Sequence, residues 1–223
     1  VAAPFAELDA LPAEIAIFPL SGALLLPEGR LPLNIFEPRY LAMTEDSLAA
    51  GRMFGMVQPD PAAPRGAAGP GLYRIGCLGR LTSFAETEDG RFLITLTGMI
   101  RFRVAEELEM RRGYRRVRAD YGAFQADLQP AAPPALDRPG LLAALRPFFK
   151  ARGIEANWEA VEQTDDAALV TTLAMVCPFE VPEKQALLEA ATPAERAAML
   201  IALLQMGAHG TPSDDAPPRG RLS

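Results

Sequence analysis

The sequence predicts an α+β protein, in which a β-rich half curled into a small barrel is followed by a bundle of helices. Three observations carry that reading. From Arg91 to Val104 the even positions read Phe92, Ile94, Leu96, Gly98, Ile100, Phe102 and Val104, while the odd ones are Arg91, Leu93, Thr95, Thr97, Met99, Arg101 and Arg103. Alternation over such a length specifies a strand with one buried face. From Gln129 to Pro139 the composition shifts to proline and alanine, which marks a linker. Beyond it, helix-start signals recur at Thr164-Asp165-Asp166, at Pro182 and at Thr192-Pro193-Ala194-Glu195. The chain is thereby divided into a β-rich part at 1–128, a linker at 129–139, a helical bundle at 140–209 and a tail at 210–223. The tail's Gly, Pro, Ser and Asp content predicts disorder.

The first clear element is an extended apolar run ending at Phe36. Pro38 forbids helix at Glu37 yet suits a first helical position, so a helix is expected to open with Arg39-Tyr40 and stop at Gly51. The Pro, Ala and Gly between Pro59 and Gly71 predict a mobile loop. From Leu72 to Phe84 a strand is expected with Tyr73, Ile75, Cys77 and Leu81 on one face, and Asp89-Gly90 marks the hairpin into the next strand. Gly98 falls on that strand's inner face, where a missing side chain lets it bend as a small barrel requires. A third strand, Tyr114 to Tyr121, continues the meander. In the second half a helix from Leu141-Leu142 to Phe148-Phe149 is expected to be interrupted or ended near Pro147. Thr164-Asp165-Asp166 sets carboxylates on the positive end of a helix running to about Cys177. Thr192-Pro193-Ala194-Glu195 is a capping box, and the helix it starts presents Ala197, Leu200, Ile201 and Leu204, widened by Met199, Leu203 and Met206.

The run Pro32-Leu33-Asn34-Ile35-Phe36-Glu37-Pro38-Arg39-Tyr40 resembles the signature at the start of the N-terminal, substrate-binding domain of Lon proteases. Ile15–Leu20 and Ala23–Pro27 stand where that family has its first two strands, and Phe54–Val57 matches a further one. Ile75-Gly76-Cys77-Leu78-Gly79 looks like the family's glycine-containing strand, Gly98–Arg103 like its G-x-x-R-F-x element, and Lys184–Glu189 like its helical KQxLLE segment. The resemblance spans about residues 12 to 208. It implies a PUA-like β-barrel followed by a C-terminal helical bundle, and a role in binding unfolded or tagged polypeptide segments. The rest of a Lon protease has no counterpart here. No G-x-x-x-x-G-K-[ST] presents backbone N–H groups and a lysine to phosphates, and the only lysines are Lys150 and Lys184. The resemblance therefore implies a substrate-binding domain standing apart from motor and protease.

Composition bounds the rest. The 223 residues are 49% hydrophobic and 22% charged, ordinary for a globular protein with ample core. A net charge of −6 argues against a general nucleic-acid binder. No run is long and apolar enough to span a bilayer, since residues 15–26 are broken by Pro19 and fall short of about 20 residues. No basic region precedes that run as in a signal peptide, so a cytoplasmic protein is expected. Cys77 and Cys177 lack C-x-x-C spacing and are read as reduced core residues.

Catalytic groups are scarce. The lone histidine, His209, borders the tail, where nothing holds it as a base, and Lys150 and Lys184 are expected to be solvated. One histidine and two distant cysteines make no zinc cage. The expectation is a non-enzyme without cofactor or metal.

Two clusters are candidates for binding. Phe36, Glu37, Pro38, Arg39 and Tyr40 are read chiefly as structural, with Glu37 and Arg39 holding the strand-to-helix corner. Arg101, Arg103, Arg111, Arg112, Arg115, Arg116 and Arg118 lie within eighteen residues. If the strands pair, Arg101, Arg103, Arg116 and Arg118 form a positive patch, and RNA binding is the alternative function. Among these arginines only Phe102, on the inner face, and Tyr114 are aromatic, too few to stack successive bases, so nucleic acid is the weaker reading. The favoured one is a non-enzymatic polypeptide-binding module acting as adaptor, holdase or regulator. Its partners would be unfolded or tagged segments or a dedicated client, held by apolar contact and strand addition.

Overall fold

The computed structural model describes residues 8–129 and 136–209. Six strands form one sheet: β1 (Glu14–Pro19), β2 (Arg30–Ile35), β3 (Met53–Val57), β4 (Ile75–Glu86), β5 (Phe92–Arg111) and β6 (Tyr114–Asp120), in the order β2-β5-β4-β3-β1-β6. A further pairing of β5 with β6 closes β5-β4-β3-β1-β6 into a ring, leaving β2 alongside the first half of β5. All pairings are antiparallel except β1 with β3. Helix α1 (Pro38–Ala49) follows β2, and α2 (Arg138–Arg152), α3 (Trp158–Gln163), α4 (Asp166–Val176), α5 (Val181–Glu189) and α6 (Pro193–His209) follow the sheet.

β5 organises the barrel. Its even positions from Phe92 to Val104 are all buried, as the alternation requires. That single face serves two cores in succession. Before Gly98, Phe92, Ile94 and Leu96 join the core shared with the helices, whose members include Leu145, Phe148, Leu173, Leu187 and Leu204. After Gly98, Ile100, Phe102 and Val104 line the barrel interior with Ile17, Val57, Leu78 and Val117. β4 lies between the two cores. Ile75 and Cys77 face the helices while Leu78 faces the barrel interior, so its first half is buried on both sides.

Several expectations need correcting. The segment 23–27 is not a strand: Leu24, Leu25 and Leu26 are buried in the core shared with the helices, without ladder partners. A short continuous apolar run does not distinguish a strand from a core plug. Helix α2 runs on through Pro147. A mid-helix proline costs roughly 3 kcal/mol, and burial of Phe148 and Phe149 next to it offsets that loss. The helix ends instead at Gly153, whose φ of 61° forms a left-handed cap. Helix α3 had no strong signal, and the Asn157 side chain starts it by accepting from the Ala160 N–H. Met206 is exposed rather than part of the buried face of α6. Lys184 is also buried. Its Nζ donates to the Gly22 carbonyl (2.6 Å) and the Met175 carbonyl (3.3 Å), tying α5 to the loop after β1.

Other signals held. Asp165 caps α4 by accepting from the Ala168 N–H. At α6 the Thr192 hydroxyl accepts from the Glu195 N–H, and the Glu195 carboxylate accepts from the Ala191 N–H, one residue earlier than a standard capping box. Cys77 and Cys177 are buried free thiols, and burial pushes Cys177 up to about 12. The expected tail at 210–223 lies outside the described residues.

Candidate functional site

The strand-to-helix corner is built from short-range chemistry. Glu37 stays extended (φ −72°, ψ 133°) and Pro38 takes the first helical position. The Glu37 carbonyl accepts from the N–H groups of Tyr40 and Leu41, both at 2.9 Å. One Glu37 carboxylate oxygen accepts from Arg39 Nε (3.0 Å) and Nη2 (2.8 Å). The Arg39 guanidinium also lies 4.5 Å over the ring of Tyr40, which is buried 4.1 Å from the ring of Phe18. Burial raises the Tyr40 phenol, and the Arg39 charge works against it. Phe36 instead projects to solvent, 62% exposed.

Beside this corner lies a shallow recess of about 80 Å³, lined by Pro19, Arg39, Tyr40, Pro70, Tyr114 and Arg115 among others. Its two guanidiniums are already paired. Arg39 meets Glu37, while Arg115 meets Glu107 (2.6 Å) and donates to the Pro70 carbonyl (2.7 Å). The recess is therefore electrically neutral and the size of one small side chain. Because the Glu37–Arg39 pair is half exposed, Arg39→Ala is expected to lower stability by no more than about 1 kcal/mol. Its melting temperature should fall slightly while polypeptide affinity stays within twofold; an unchanged melting curve with lost binding would make the corner a contact site.

The arginine-rich hairpin does not present a block of free cations. Arg101 is 6% exposed and pairs with Asp127. Arg116 meets Glu14, and Arg118 meets Glu106 and Glu14. Arg111 and Arg112 reach α1, where they meet Asp46 and Glu45. Burial alone would raise the Asp46 carboxyl, but hydrogen bonds from Tyr114 and Arg112 and the nearby arginine charges bring it below its ordinary value. Arg103 lies opposite Asp120 in the β5–β6 register and is exposed. The acidic partners on the same hairpin are visible in the sequence. Glu14, Asp46 and Asp127 arrive from elsewhere, and only folding brings them in.

Three of the four large apolar residues exposed in the described β-half, Phe36, Phe84 and Leu93, lie on an arm that projects past the ring, while Met110 lies near the far end of β5. The arm consists of β2, the first half of β5 and the last part of β4, beyond the point where β3 has ended. Leu93 is 47% exposed, with Asn34 of β2 on one side and Ala85 of β4 on the other. Phe36 follows one diagonal step away. Phe84 is 39% exposed, and its ring lies 5.0 Å from that of Phe92. The sequence places Leu93 on the outer, odd face of its strand, where Met99 is the other large apolar residue. Phe36 and Leu93 thus share the outer face of the arm and Phe84 edges its other face; exposed apolar side chains so placed mark contact surfaces.

Among the described residues no three His, Cys, Asp or Glu side chains group as metal ligands, and no helix is long and apolar enough to cross a membrane.

Comparison with known proteins gives a consistent result. The family described as the ATP-dependent protease La (LON) substrate-binding domain matches residues 14–206. The chain is 28% identical over 96 residues to a Lon protease of Desulfosudis oleivorans, covering 43% of this chain and 12% of that protein. It is 24% identical over 189 residues to Lon protease 1 of Herpetosiphon aurantiacus, covering 80% of this chain and 22% of the relative. The chain thus spans only a small part of the curated relatives it matches. The crystal structure of a Lon N-terminal domain protein from Xanthomonas campestris superposes with a TM-score of 0.59 at 24% identity, covering 85% of this chain and 97% of the other. The N-terminal domain of a Mycobacterium avium complex Lon protease does so with a TM-score of 0.58 at 14% identity, covering 86% and 97%.

Proposed function

The chain belongs to the family of Lon substrate-binding domains, and from that premise we propose that it is a non-enzymatic module that recognises extended, unfolded or tagged polypeptide segments in the cytoplasm. The observation that carries this reading is the contrast between two surfaces. The arm exposes Phe36, Phe84 and Leu93, whereas the arginines that would hold a phosphate backbone are largely paired with carboxylates. Apolar contact of this kind suits a client without fixed sequence and supports a role as adaptor, holdase or regulator, or as the partner of one dedicated client.

Fluorescence anisotropy at physiological salt tests it, with a labelled unfolded polypeptide and a labelled single-stranded RNA in parallel. Saturable polypeptide binding is expected, weakened about tenfold in a Phe36→Ser, Leu93→Ser double variant, because each loses roughly 1 kcal/mol or less of apolar burial. RNA binding that falls steeply with salt, with no polypeptide signal, would overturn the proposal and move function to Arg103, Arg116 and Arg118.

A further inference from the structure

Backbone groups on the arm are more selective than its side chains. β2 forms one border of the arm and pairs only with β5. The Gly98 N–H donates to the Gly29 carbonyl, so Leu31, Leu33 and Ile35 turn their N–H groups to β5 while Arg30, Pro32 and Asn34 turn outward. Pro32 has no N–H, so that border is interrupted at its centre, a common way of protecting an edge.

The opposite border is not protected in this way. β3 ends where the Arg52 carbonyl accepts from the Leu81 N–H (2.7 Å), and Arg52 then leaves the line with φ 61°. β4 continues to Glu86 with β5 on one side only. The register shifts between Leu81 and Ser83, and the Thr87 N–H donates to the Arg91 carbonyl. Counting back from that bond, Ser83 and Ala85 bond to β5, while the N–H and C=O of Phe84 and Glu86 point outward. Residues 82–86 are all exposed, and no proline interrupts them.

Resting on the polypeptide-binding reading above, we propose that this border of β4 accepts an extended guest segment as an antiparallel strand on the line that β3 leaves vacant. The charges give the guest a polarity. Running as β3 runs, it starts beside Glu86 and Glu88 and ends beside Arg52 and Arg80, all four exposed. The guest is therefore apolar at its centre, basic toward its N-terminal side and acidic toward its C-terminal side, with Phe84 as an apolar flank. A second copy of this chain fits poorly. Paired antiparallel about Phe84, its residues 87 and 88 would fall on positions that Arg52 and Met53 already hold opposite Leu81 and Arg80. Pairing about Glu86 would set two like charges face to face.

The test uses a labelled peptide with lysines at its N-terminal side, valines at its centre and glutamates at its C-terminal side, alongside the same peptide with its charges exchanged. The first is expected to bind at least tenfold more tightly, and to slow amide exchange at Phe84 and Glu86. Glu86→Pro removes the outward N–H at a position where a border strand tolerates proline. It should weaken binding about tenfold relative to Glu86→Ala, which loses the same carboxylate but keeps the N–H. Unfolded polypeptide that binds without protecting Phe84 and Glu86 overturns the border proposal and leaves polypeptide recognition standing. No binding of unfolded polypeptide by the parent protein overturns both. Association of the chain with itself that protects these amides, without peptide uptake, assigns the border to a second copy and also overturns the proposal.

Discussion

Arg101→Ala is expected to destabilise the protein by about 3–5 kcal/mol, the usual loss when one partner of a buried ion pair is removed. Arg101 ties three parts of the chain together. From β5 its Nε (2.9 Å) and Nη2 (2.8 Å) donate to the Asp127 carboxylate, which also accepts from the Arg101 backbone N–H (3.0 Å). Its Nη1 donates to the carbonyls of Leu188 (3.1 Å) and Ala190 (2.7 Å) at the end of α5. Alanine leaves a buried carboxylate and two carbonyls without these donors and removes one of the polar ties between the barrel and the helices. Asp127→Asn should be at least as harmful, because the buried Arg196 is close enough for the charges to act on each other. Burial first, and the Arg101 charge second, already lower Arg196 to about 10. Without the Asp127 charge the two guanidiniums repel unopposed. Urea unfolding of both variants and of Arg101→Met, Asp127→Leu together decides the matter. If the double variant loses as much as either single one, shape rather than charge is the cause. Loss within about 1 kcal/mol for Arg101→Ala would show that the pair is solvated in solution.

Arg101 also shows where sequence reading stops. Alternation put it on the outer face of its strand, and that is its place in the sheet. An outer face is solvated only when nothing covers it, and here the segment after β6 and the turn after α5 do. Lys184 was misread for the same reason. Its helix was legible, but the Gly22 carbonyl that receives its ammonium is remote in the chain. Local signals behaved otherwise. The caps of α4 and α6, the Pro38 helix start and the buried face of β5 all depend on neighbours within a few residues, and the sequence displays those directly. The leucines at 24–26 lie between these cases: their burial was legible, but not that they plug a core instead of pairing in a sheet. At the candidate site, Leu93 could be placed on an outer face by parity alone. The open border of β4 depends on where β3 stops, at a residue whose positive φ no local motif announces.

Gly98→Ala is expected to cost about 3 kcal/mol, at the upper end of what overpacking does. Freedom of φ is not the reason, since Gly98 is not among the glycines with positive φ. A Cβ there would overlap the Leu26 carbonyl oxygen and lie 2.7 Å from its carbonyl carbon. Backbone cannot swing aside as a side-chain tip does, and this backbone is held. Gly98 bonds to the Glu28 N–H (2.9 Å) and the Gly29 carbonyl (2.8 Å), which anchor the turn leading into β2. Gly79→Ala is the informative contrast, because its Cβ would meet the Leu25 Cδ2 methyl at 2.8 Å, the end of a flexible side chain. It should cost less than half as much in the same urea titration. Displacing Leu26 also shifts β2 along β5 and disturbs the arm that carries Phe36 and Leu93. Polypeptide affinity of the Gly98 variant should therefore fall even at temperatures where it remains folded, and Gly79→Ala should spare it. Equal losses of stability for the two alanines would mean that the Leu26 turn yields easily, so that Gly98 serves only the bending of the strand.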